Sequence, residues 1–192
     1  VKKLEKKQAI YITIGNLGNA YSSMGNFSKS IVYYEQALAI AKEIGDKQGQ
    51  GQQLASLGIV YDRLNDYHKA IEYQGQAFAI AEEIGDKRGK GNCLGNLGVA
   101  YNNLGDYSKA INYHEQALVI AKEIGDKNSE GHQLSSLGTS YGNLGDYRNA
   151  IKYHEQALVI AGEIGDKRGK GNCLGNLGVS YNYLGDYRKA ID

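Results

Sequence analysis

The chain has 192 residues, with 22 Lys and Arg against 21 Asp and Glu, a formal charge of +1. That balance gives no bulk pull toward nucleic acid or a membrane surface, so neither is expected as a partner. No apolar run approaches the ~18 residues of a spanning helix. The start, Val1-Lys2-Lys3-Leu4-Glu5-Lys6-Lys7, lacks the apolar stretch of a signal peptide. These features predict an intracellular, cytoplasmic chain.

Internal repetition organises the rest. Leu17, Leu57, Leu97, Leu137 and Leu177 are spaced by 40, as are Gly18, Gly58, Gly98, Gly138 and Gly178. Tyr21, Tyr61, Tyr101, Tyr141 and Tyr181 keep the same step. Gly85 to Ile111 and Gly165 to Ile191 differ only at Ala100/Ser180, Asn103/Tyr183 and Ser108/Arg188. Fixed self-similarity of this kind is the signature of a repeat architecture.

In chain order, Val1 to Lys7 aligns with Ala81 to Lys87 and predicts the tail of a second helix and its turn, with Leu4 at the Ile84 position. Repeats follow at about 8–47, 48–87, 88–127, 128–167 and 168–192, the last incomplete, as a single array over 1–192. Each reads as two helices. In the third, Leu94, Leu97, Tyr101 and Leu104 recur at helical spacing. Gly105-Asp106 then ends that helix and starts another. Glycine suits the left-handed position after a helix, and aspartate is a good N-cap. The second helix carries Tyr107, Ala110, Ile111, Ala117, Leu118, Ile120, Ala121 and Ile124, and Gly125-Asp126 closes the unit. Asn65-Asp66, Gly85-Asp86, Gly145-Asp146 and Gly165-Asp166 repeat the punctuation. Helix pairs without any strand-period pattern predict an all-α fold.

Interior glycines such as Gly91, Gly95 and Gly98 each cost a helix about 1 kcal/mol against alanine. The first helices therefore depend on their neighbours. Gly98 and Ala117 are expected to let backbones approach closely, and the Tyr101-type positions to sit in the core. No polar capping helix is visible at either end. The chain thus reads as part of a longer array, and its apolar ends allow head-to-tail self-association.

Catalytic chemistry finds no foothold. Gly85-Asp86-Lys87-Arg88-Gly89-Lys90-Gly91 is one residue short of a phosphate loop and lacks the following Ser or Thr. Cys93 and Cys173 are equivalent positions two repeats apart, roughly 20 Å, which excludes a disulfide between them. His114 and His154 have Leu118 and Leu158 where a second metal ligand would stand. No enzyme activity, cofactor or metal is expected.

Leu97-Gly98-x-x-Tyr101, Gly105-Asp106-Tyr107-x-Lys109-Ala110-Ile111 and Ala117-Leu118 resemble the tetratricopeptide repeat, over nearly the whole chain. The common unit has 34 residues; here it has 40 and no proline. The long unit, with Ile-Gly-Asp-Lys and Gly-Asn-Leu-Gly, looks like the LGN/Pins adaptors and long cyanobacterial and invertebrate arrays. The resemblance implies a right-handed superhelical solenoid of antiparallel helix pairs. It implies a protein-interaction scaffold that binds an extended peptide or partner segment in a concave groove lined by first helices. The GoLoco motifs of LGN-like proteins are absent from this sequence, so their G-protein binding is not implied. Arrays of this look also serve as sensors within larger signalling proteins.

Mapping the groove positions of that fold selects Asn16, Asn19, Arg63, Asn92, Asn96, Val99, Asn102, Asn103, His132, Asn143, Asn172, Asn176, Val179, Asn182 and Tyr183. Gly15, Ser56, Ile59, Asp62, Gly95, Ser136 and Thr139 complete the face. An Asn amide offers both donors and an acceptor, so it can pair with the C=O and N–H of an extended peptide. Arg63 is the one permanent cation in the set. A Lys/Arg clamp on a C-terminal carboxylate is therefore not expected.

Overall fold

The computed structural model describes residues 2–191, with side chains described for 4–190. Val1 and Asp192, the first and last residues of the expected array, lie outside the described residues. The elements are α1 (Lys2–Ser23), α2 (Phe27–Glu43), α3 (Lys47–Arg63), α4 (Tyr67–Ile84), α5 (Lys87–Leu104), α6 (Tyr107–Glu123), α7 (Lys127–Leu144), α8 (Tyr147–Glu163), α9 (Lys167–Tyr183) and α10 (Tyr187–Ile191). No strand occurs among the described residues. Odd-numbered elements are the first helices of each pair and even-numbered ones the second.

The turns follow from two residue choices. The residue before each capping Asp has positive φ, as at Gly105 with φ 87°. The Asp side chain then accepts the amide of the residue three on, as Asp106 Oδ1 does from Lys109 at 3.2 Å. Asn65, φ 61°, takes the left-handed role without being glycine, in keeping with asparagine's tolerance of that region.

The N-terminal expectation is corrected. Lys2–Ser23 is one continuous helix, not a helix tail followed by a turn. Glu5-Lys6 stands where Gly85-Asp86 breaks the chain elsewhere. Without a left-handed glycine and a capping carboxylate, nothing stops the helix there.

The chain divides into two compact units, 1–100 and 101–192, with the division inside α5. Unit 1 has a core of Tyr34, Leu38, Leu54, Leu57, Val60, Ala77 and Cys93. A second cluster there joins Tyr11, Ala37 and Ala41. Unit 2 has Ile111, Leu118, Leu134, Leu137, Ala157, Ile160 and Cys173. Leu57 and Leu137, from the Leu-Gly dipeptide, are both 0% exposed. Burying one such side chain contributes roughly 1.5–3 kcal/mol.

The glycine after that leucine is closely approached by its neighbours. A Cβ on Gly18, Gly58 or Gly138 would come within 2.6 Å of the side chain of Tyr34, Gln74 or His154 respectively. At these three positions the glycine makes room for a large polar side chain of the second helix, while at Gly178 the atom that a Cβ would meet is the Ala190 backbone oxygen, at 3.2 Å.

The tyrosines also depart from the core expectation. Tyr21–Tyr33 and Tyr61–Tyr73 in unit 1, and Tyr101–Tyr113 and Tyr141–Tyr153 in unit 2, form stacked pairs with centroids 5.3 Å apart. All eight rings are half-buried. Lys29, Lys69 and Lys109 place their ammonium groups about 5 Å over Tyr21, Tyr61 and Tyr101. A phenol keeps its hydroxyl near water while its ring packs, which places these rings at the edge of the core. No helix among the described residues is long and apolar enough to cross a membrane.

Candidate functional site

The first-helix face is best read one unit at a time. In unit 1, Asn96 and Val99 of α5 line a small cavity of about 60 Å³ with Gly58, Ile59 and Asp62 of α3 and Gln74 of α4. In unit 2, Asn176, Val179 and Tyr183 of α9 line a cavity of about 270 Å³ with Asn143 and Thr139 of α7 and His154 of α8. The two cavities are built from equivalent positions: Gly58 and Gly138, Gln74 and His154, Asn96 and Asn176, Val99 and Val179, each 80 apart. Neither the Asn96 nor the Asn176 side-chain amide has an internal hydrogen-bond partner among the described residues. Both are half-buried beside an apolar Val.

Other candidates are placed differently. Asn19 Oδ1 accepts the Tyr34 hydroxyl at 2.8 Å. Asn143 Nδ2 donates to Asn102 Oδ1 at 3.3 Å. These amides brace helices within their own unit. His132 and Asn172 line a third cavity, of about 470 Å³, in unit 2. Asn16, Arg63, Asn92, Asn103 and Asn182 are exposed and stand outside the three cavities. Tyr183 is 64% exposed and stacks on Tyr147 at 4.7 Å.

The polar floor under this face was not legible as function. Tyr34, Gln74, His114 and His154 occupy one register position of the second helix, and all four are buried. His114 Nδ1 lies 2.9 Å from Gln133 Oε1. The equivalent pairing is lost at His154, because Cys173 stands at the Gln133 position, and His154 Nδ1 has no partner. Burial pulls the His154 pKa down to about 4, which keeps the ring neutral. The signal available in the sequence was the persistence of a large polar residue 16 positions after each Leu-Gly glycine.

Cys93 and Cys173 are free and buried. Burial pushes the Cys93 thiol up to about 11 and raises that of Cys173. Neither is poised as a nucleophile. Among the described residues, no group of three or more His, Cys, Asp or Glu converges on a metal-sized site.

The family model described as tetratricopeptide repeat matches residues 9–83, 54–123 and 133–192. The chain belongs to the tetratricopeptide repeat family. Solved structures agree on the fold. BtubC (BKLC) from P. vanneervenii is 25% identical, covers 96% of this chain and 77% of its own, and superposes with a TM-score of 0.86. A Rap protein complexed with Competence and Sporulation Factor is 21% identical, with 94% of this chain and 51% of that chain covered and a TM-score of 0.80. A signal-transduction ATPase with a tetratricopeptide repeat sensor, from Pyrococcus horikoshii, is 24% identical, with 98% of this chain covered and a TM-score of 0.84. The chain spans about half of the Rap protein and 31% of the ATPase. No curated protein matches the chain. Fold and family are thus those of a tetratricopeptide solenoid, whose repeats mediate protein–protein interaction.

Proposed function

We propose that the first-helix face of each unit binds an extended segment of a protein partner, through Asn96 and Val99 in unit 1 and through Asn176 and Val179 in unit 2, the amide holding the backbone and the valine packing a side chain. One observation carries this reading. The same half-buried, internally unpaired amide stands beside the same valine and above the same kind of polar floor in both units. A half-buried amide not engaged within the protein keeps its donors and acceptor available, and a peptide C=O and N–H match them. Main-chain recognition of this sort tolerates varied side chains, as an adaptor requires.

A peptide-display selection against the full chain tests it, run beside an Asn96→Ala, Asn176→Ala double variant. Peptides that bind the wild type and lose the variant support the reading. Peptides that bind both equally move the site away from these amides. If no peptide binds and light scattering shows mass rising with concentration, self-association replaces the peptide groove.

A further inference from the structure

Unit 1 seats one of its own tyrosines in a place that unit 2 leaves open. Tyr11 of α1 is 5% exposed and packs with Ala37 and Ala41 of α2, with Ile44 against the same cluster. Its hydroxyl donates to Asp46 Oδ2, while Asp46 Oδ1 accepts the Gly49 amide at 2.9 Å. Gly49 gives the ring its space: a Cβ there would come within 2.7 Å of the phenolic oxygen. Burial and the Asp46 carboxylate push the Tyr11 hydroxyl up to about 12, so it remains a donor.

The triplet α7, α8, α9 repeats α1, α2, α3 at an offset of 120 residues. Its walls are conserved within the chain. Ala157, Ala161, Ile164, Asp166 and Gly169 stand where Ala37, Ala41, Ile44, Asp46 and Gly49 do. The tyrosine is missing, because Gly131 occupies the Tyr11 position. In its place lies the 470 Å³ cavity, bounded by those five walls and Gly131. Asp166 Oδ1 still accepts the Gly169 amide at 2.9 Å, and no side chain among the described residues donates to its Oδ2. Asp166 is exposed, whereas Asp46 is half-buried. His132, Ser136 and Asn172 form the rim, which belongs to the first-helix face.

We propose that this cavity is a subsite for a tyrosine side chain of the bound partner, with the ring beside Ala157 and Ala161 and the hydroxyl donating to Asp166 Oδ2, the Asp166 carboxylate turning off Gly169, over which it now lies. The subsite rests on the peptide-binding reading above and names the side chain read there. The chemistry is selective. A phenylalanine fills the apolar walls but leaves the carboxylate unpaired. A phosphotyrosine sets its own negative charge against Asp166, and Arg168 of the same lining offsets part of that repulsion, so the phosphorylated ring is weakened.

The test follows amide chemical shifts of the full chain with N-acetyl-tyrosinamide, N-acetyl-phenylalaninamide and N-acetyl-phosphotyrosinamide as probes. The tyrosine probe is expected to give saturable shifts at Gly131, Gly169 and Cys173. The phenylalanine probe should bind about tenfold more weakly, the size of one charge-assisted hydrogen bond. The phosphorylated probe should bind more weakly than the tyrosine probe. Gly131→Tyr, which restores the Tyr11 residue type once Ile160 Cγ2, 3.0 Å from the added Cβ, gives way, should abolish binding of the tyrosine probe. Asp166→Asn retains a good helix cap and should lower the tyrosine probe toward the phenylalanine level by removing the carboxylate's charge, so the test does not hang on one variant folding. Equal binding of the tyrosine and phenylalanine probes by the wild type, or shifts that avoid the cavity, overturns the subsite. Selected peptides that lose the Asn96→Ala, Asn176→Ala variant yet keep Gly131→Tyr overturn the subsite and leave the peptide-binding face. Probe binding in the cavity without any selected peptide does the reverse.

Discussion

The His154 ring lies directly over Gly138: a Cβ built on that glycine would come within 2.6 Å of His154 Cε1 and 2.7 Å of both ring nitrogens. His154 is 2% exposed, so the ring has little room to retreat. Gly138→Ala should therefore destabilise unit 2 by about 1–3 kcal/mol, the range for overpacking a well-filled core. Urea unfolding of wild type and variant measures it. A variant as stable as the wild type would show that the ring yields freely.

Acid should weaken the same contact. The unfolded imidazole titrates near ~6.5, and the folded one near about 4. The unfolded chain thus takes up the proton first. Stability from neutral His154 is complete above pH ~6.5 and is lost as pH falls toward 4, on the order of 3 kcal/mol. His114, held down by burial against the opposing hydrogen bond of Gln133, acts in the same direction. His154→Gln, which places the Gln74 side chain type at this position, should flatten part of this loss. Unfolding curves at pH 7.5 and pH 5 decide; an equal drop in both proteins would remove His154 as a cause.

Gly75 offers the opposite outcome. It sits in the interior of α4, and a Cβ there meets nothing within 4 Å. Gly75→Ala should stabilise unit 1 by roughly 0.5–1 kcal/mol, the helix penalty of glycine. A rise in the denaturant midpoint checks this, and a fall would reveal a contact that the folded geometry does not contain.

The two thiols should be inert until the chain opens. Cys93 is 3% exposed and Cys173 2%. Both thiols are raised above their ordinary range, so thiolate is scarce at pH 8. An aromatic disulfide reagent should label them only in denaturant. Prompt labelling of the native protein would contradict their burial.

The repeat is legible because its causes are local. Gly105 and Asp106 end one helix and start the next through their own backbone and side chain, and the same two residue types do so along the chain. The start of the chain shows the limit of alignment. Glu5-Lys6 falls on Gly85-Asp86 by position, but those residues cannot make the break that the glycine and the aspartate make. The role of Gly138 is half legible. Its smallness is plain, but the ring it accommodates lies 16 residues away on another helix.

The candidate site is readable as a face but not as a set of free groups. By residue type, Asn19, Asn96, Asn102 and Asn143 are equivalent. Tertiary contacts separate them, since Asn19 is taken by Tyr34 and Asn102 by Asn143, while Asn96 is not taken. Tyr11 and Gly131 likewise mark one register position, yet one fills its seat and the other opens a cavity. The period, helix pairs, caps and family were determined by the sequence itself, because they depend on neighbours three or four residues apart and on the backbone freedom of single residues. Which amides remain unpaired, which histidine lacks a partner and where a cavity stands were decided only by the tertiary structure, because hydrogen bonding and packing there are settled by side chains brought together from different helices.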